Sequence, residues 1–535
     1  MRTSGHYFSL PILQPPLKRS RALSRWTQIK PIAAALSLLA APTLAQNATL
    51  DEPLSAIEWL SRSVEEPAMA EPPTAGNATA PDVTTTPLSQ PSKDPIGLLP
   101  SRVTGLPPDI WVNSNEADLV RRLQAERIDM LPAMQDLLKV LLLAEAQPPK
   151  DAGSDDALFL ARVDKLLDMG ALEQAKSLLE QATPDTPELF RRWFDVGLLT
   201  GTEDDACAVL KETPEIAPTY PARIFCQARN GDWSLAALTL NTHRVLGDIT
   251  PAEEALLSRF LDPELFEGEP ALDAPARVSP LTFRMHEAIG EPLATGTLPL
   301  AFAHADLRFT APWRAQLEAA ERLARHGAVS ENVLLRHYTS RTPAASGGLW
   351  DRAAAMQRFD VAMLAGDVAG VSETIGPAWE AMKEARAEIQ FAKLYGAALQ
   401  DMPLTPEAAS LAFEIALLSP AYERVALAAR QAGSAFDPFL TGVALGAPDP
   451  ALAETQREDA IAAAFTQPMI PQNIQRMLDE DKLGEALLVT LQRFDAGAEG
   501  DLRALTEALS VLREVGLDDV ARRAALQHLL LYRGL

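Results

Sequence analysis

Reactive chemistry in this chain rests on few residues. Two cysteines, Cys207 and Cys226, lie 19 residues apart on what read as neighbouring helices at 204–211 and 219–230. In an oxidising compartment such a pair persists as a disulfide, and a structural bridge is the expectation. Two buried thiols are the alternative, because Cys is also a small core residue. The spacing is not the Cys-x-x-Cys of a redox pair. The histidines are His6, His243, His286, His304, His326, His337 and His528, and none forms a His-x-x-x-His pair. His304-Ala305-Asp306 comes nearest to a ligand pair, yet side chains two apart on a helix point to different faces. Ser346-Gly347-Gly348 reads as a loop, not a nucleophile elbow, and no phosphate loop or dinucleotide fingerprint occurs. The acidic runs Glu203-Asp204-Asp205 and Asp479-Glu480-Asp481 lack the alternating oxygens of a calcium loop and read as helix-start charges and solvated surface. No catalytic, metal-binding or cofactor-binding residue is assigned, and no cofactor is expected.

The elements that would position any site are helices. A local phrase recurs in which Gly closes one apolar helix and Ala follows five residues later on the next. It occurs at Gly170-Leu172-Ala175, at Gly231-Trp233-Ala236 and at Gly516-Ala521. Gly ends the first helix in a left-handed conformation, and the small Ala lets the second helix approach. Gly327 and Gly366 mark two further turns, with Asn332 and Val371 at the Ala position. Apolar residues at helical spacing continue nearly to the end of the chain, and no segment reads as a strand. Trp193, Trp233, Trp313, Trp350 and Trp379 stand at apolar positions, most of them expected in the core, with one or two left to anchor a partner.

At Gly170-Ala171-Leu172-Glu173-Gln174-Ala175 and Gly231-Asp232-Trp233-Ser234-Leu235-Ala236 the chain resembles the tetratricopeptide repeat family, with Leu179 and Leu240 at the later apolar positions. The phrases recur at irregular intervals, against about 34 residues for that family's repeat. The resemblance implies an all-α, irregular α-solenoid of helical hairpins and protein–protein recognition, and it brings no catalytic residues. Exported α-solenoids also form the non-catalytic part of soluble lytic transglycosylases. Their catalytic domain carries a Glu-Ser signature, which is missing here.

Residues 1–45 read as a signal peptide: Lys18, Arg19, Arg21, Arg25 and Lys30, then the apolar run 31–44 ending in small residues. An uncleaved inner-membrane anchor is the alternative, although the run is short for a span and Pro42 interrupts it. Residues 46–109 are rich in Pro, Thr and Ala and read as a disordered linker. Within it, 53–64 forms an amphipathic island whose Leu54, Ile57, Trp59, Leu60 and Val64 offer a docking helix for a partner, or one that packs on its own chain. Packed structure is expected from about Asp109, in three helical regions at 110–270, 281–446 and 451–535.

The chain has 535 residues, 47% hydrophobic but only 6% aromatic, which fits Leu/Ala-rich helices better than a β-sandwich. Its formal charge of −24 argues against binding nucleic acid. The expectation is a non-catalytic periplasmic scaffold that binds envelope or other exported proteins and has no membrane span once the signal is cleaved. The alternative is a cell-wall (peptidoglycan) enzyme or its helical accessory subunit.

Overall fold

The computed structural model describes residues 92–434 and 436–531. The leader at 1–45 and the island at 53–64 lie outside the described residues. The described chain folds into 25 α-helices and four short 3-10 helices. Among the described residues there is no strand, only one parallel bridge between Leu99 and Ala144. No helix among them is long and apolar enough to cross a membrane.

Local chemistry explains many helix starts. Thr186, Thr219, Thr250, Ser279, Thr405 and Asp437 each accept a backbone N–H from the first turn, and a Pro follows within two residues. The hydroxyl or carboxylate satisfies an orphan donor, while Pro supplies a preset φ where no N–H is needed. Thr250 and Glu253 complete a capping box, as do Thr455 and Glu458. Prolines that look like breakers in the sequence therefore begin helices.

Adjacent helices pair. The turn glycines Gly170, Gly231 and Gly516 have φ of 67°, 87° and 81°. Ala175, Ala236 and Ala521 are fully buried on the following helices. Cys207, on helix Glu203–Glu212, is bonded to Cys226 on Tyr220–Arg229, so the expected bridge is present.

Two features depart from expectation. Packed structure does not begin at Asp109 but reaches back to Ser92. The N–H groups of Leu98 and Leu99 both donate to Leu143 O, at 2.8 and 2.9 Å, and Glu145 N–H returns a bond to Leu99 O. The buried Asp94 carboxylate accepts Phe159 N–H at 2.7 Å. Arg162, fully buried, donates to the carbonyls of Asp94, Leu142 and Ala144 and fixes this strap to the body. Ile96, Leu98, Leu99 and Leu106 give the strap apolar surface to bury, and its prolines suit an extended path.

Packing also does not run only between sequence neighbours. One hydrophobic core joins residues of 106–285 with residues of 413–526. Helix Asp518–Leu530 lies against Pro132–Leu143, and Gln527 accepts Ala133 N–H at 2.8 Å. A second core is built from residues of 313–418. The boundary expected near residue 450 therefore does not separate cores: helices on both sides of it share the first one.

Candidate functional site

Two places in the described chain have the character of a site. The first is a cleft of about 360 Å³ where three distant stretches meet, 127–132, 325–390 and 495–531. Leu131, Ile389 and Leu531 give it apolar wall, and Arg127, Arg325, Arg386, Asp495 and Glu499 give it charge. Arg127 pairs with Asp495 at 2.8 Å and with Glu499. Burial raises the Asp495 carboxyl above the usual range, against the pull of Arg127. Arg325 donates to Ala385 O at 3.2 Å. Arg386 adopts a left-handed φ of 55° in the turn between helices Val368–Ala385 and Glu388–Leu399. His528, buried in the wall, is pushed down to about 4 by burial and then by Arg457, so it is neutral near pH 7. The cleft thus presents opposite charges that compensate each other, with no Ser, Thr, Cys, Lys or Tyr among its lining residues.

The second is an apolar ridge on helix Trp233–Leu246. This helix buries Ala236 and Leu240 on one side. On the other, Leu235, Leu238, Thr242, Val245 and Leu246 fall within an arc of about 100° at 100° per residue. Their exposures decide the matter: Val245 81%, Leu246 66%, Leu238 63% and Leu235 48%. Trp233, 51% exposed, tilts against Phe260 at the start of the ridge. Such a stripe normally faces a core. Here it faces solvent.

The residues singled out by type go elsewhere. His304 and Asp306 separate: the His304 ring donates to Gly170 O at 2.7 Å, and Asp306 accepts the Thr295 hydroxyl. Ser346, Gly347 and Gly348 are exposed in a loop. Glu203 is not solvated surface. It is buried, 2.9 Å from Arg284, which also meets Glu287, which in turn meets Arg308. Asp479, Glu480 and Asp481 do lie exposed, with Glu480 on Lys482. Trp193, Trp313 and Trp379 are buried and Trp350 half-buried, which leaves Trp233 as the exposed one of the five. Among the described residues no group of three His, Cys, Asp or Glu side chains is placed to hold a metal.

The ridge has a signal in the sequence that the repeat pattern hides. Leu235 and Leu238 lie on the opposite face from Ala236 and Leu240, so the helix is apolar on two sides. A helix of that kind is normally sandwiched between two layers. No protein-family model, no curated protein and no solved structure matches the chain.

Proposed function

We propose that this chain is a non-catalytic helical scaffold, akin to tetratricopeptide arrays, that works in the periplasm and binds other envelope proteins. The solvent-facing ridge of helix Trp233–Leu246 carries the reading. An exposed apolar patch of this size is often functional, and it supports a surface for a partner. The buried disulfide supports an oxidising compartment. In the cleft, Asp495 and Glu499 both hold Arg127, so the pair does not stand as a free base opposite an acid. That weighs for a scaffold over a cell-wall enzyme.

The test is capture by crosslinking from intact envelopes, wild type beside the Leu235→Ser/Leu238→Ser double variant. Both side chains are exposed, so the thermal melt should not move by more than about 2 °C. The expected outcome is a discrete set of envelope proteins that the variant loses. Equal capture by both chains, together with turnover of purified glycan strands, would overturn the reading.

A further inference from the structure

Who covers the ridge is a question of size and charge. Its five side chains present roughly 500 Å², less than the ~800 Å² each partner contributes to a standard interface. The helix has 14 residues and is about 21 Å long. That is the footprint of one helix laid alongside, not of a second folded body. The exposed positions Leu235, Leu238, Thr242 and Val245 repeat at intervals of three, four and three, the spacing at which one helix meets another along a seam.

The surroundings are acidic. Residues 230–270 hold eight acidic side chains, including Asp232, Asp248 and Glu254, against two arginines. Both arginines are already paired: Arg244 with Glu254 at 3.0 Å, and Arg259 with Glu291 at 2.8 Å and Glu269 at 3.5 Å. Asp232 and Asp248 stand exposed at the two ends of the ridge, with the His243 ring 2.8 Å from the Asp248 carboxylate. A second copy of the chain would bring the same negative field and the whole-chain charge of −24 with it, and like charges oppose that contact. A cationic helix meets an apolar seam with negative ends, which is complementary in both respects.

We propose that the ridge docks a basic amphipathic helix of a partner protein, with its apolar face on Leu235, Leu238 and Val245 and its lysines or arginines toward Asp232 and Asp248. This rests on the scaffold reading and names the chemistry of its partner.

The probes are two synthetic 14-residue helical peptides with Leu at positions i, i+3, i+7 and i+10. One carries Lys on its flanks and the other carries Glu. Binding to the full chain is read by fluorescence anisotropy at 0.05 and 0.5 M salt. The expected result is binding of the Lys peptide at least tenfold tighter than the Glu peptide. That binding should weaken at least tenfold in Leu235→Ser/Leu238→Ser and several-fold in Asp232→Lys/Asp248→Lys. Val361→Ser/Leu364→Ser, two exposed apolar residues on another helix, should leave it unchanged. Equal binding of the Lys peptide by the ridge variant would show bulk attraction to an acidic protein and overturn the proposal. Equal binding of the two peptides would also overturn it, as would sedimentation showing a dimer that the ridge variant abolishes. If the envelope capture depends on the ridge while the peptides do not discriminate, the scaffold stands and only the basic helix falls. If capture does not depend on the ridge and purified glycan strands are turned over, both fall.

Discussion

Glu126 is buried beside Lys165, with Gln492 donating to its carboxylate at 2.8 Å. Burial raises it to about 7, against the opposing effects of Gln492 and Lys165. An unfolded carboxyl loses its proton near 4.3, so the stability linked to this group is complete below about pH 4 and is lost as pH rises through 7. His528 has the opposite sign. It is held down at about 4, so its contribution is complete above about pH 6.5 and is lost as pH falls through 4. The two slopes nearly cancel between pH 4 and 7. Glu126→Gln keeps the bond from Gln492 and removes one slope. Its unfolding free energy should exceed wild type by roughly 3 to 4 kcal/mol at pH 8 and match it near pH 4, as read by urea titration. Asp195, also raised to about 7 by burial, keeps a slope of the same sign as Glu126, so in that variant His528→Asn should reduce the acid-side slope by the share of His528 only. A further effect at this scale belongs to the disulfide. It closes a loop of about 20 residues, so Cys207→Ala/Cys226→Ala should cost about 3 kcal/mol in the same titration.

Pairs of helices approach closely where a side chain is missing. A Cβ on Gly497 would stand 2.7 Å from the Leu505 backbone, so helices Leu483–Ala498 and Leu502–Glu514 touch main chain to main chain there. Gly497→Ala should force them apart and lower stability by about 2 kcal/mol, seen as a lower denaturant midpoint at unchanged slope. Helices, caps and hairpin turns are legible in the sequence because their causes are local. The Gly170 and Gly231 turns follow from a Gly and an Ala at fixed spacing. The strap at 92–108 is not legible in that way: its prolines signal a linker, and its burial depends on a groove made by residues 142–162. The ridge is hidden for a related reason. Periodicity assigns Leu235 and Leu238 to an apolar face, but whether another layer covers that face is decided by helices elsewhere.

The ends of the described chain are bound to each other. Arg122 meets Glu485 at 3.1 Å, Arg127 meets Asp495, Gln492 meets Glu126, and Gln527 meets Ala133. These contacts make the N-terminal and C-terminal helices one cooperative body. Gln527→Leu would leave the buried Ala133 N–H without an acceptor, at a cost of about 2 kcal/mol. Hydrogen exchange should then quicken in Pro132–Leu143, not only in Asp518–Leu530. Loss of protection confined to the last helix would show that the shared core does not act as a unit.

The pairing of Pro132–Leu143 with Asp518–Leu530 also sets a timetable for biosynthesis. The earlier helix leaves the ribosome nearly 400 residues before its cover, which at about 5–20 residues per second is a delay of some tens of seconds. Through that interval Pro132–Leu143 lacks its final neighbour on the side that Asp518–Leu530 will cover. A newly made chain must wait, sheltered by chaperones or loosely collapsed, until its last helix arrives.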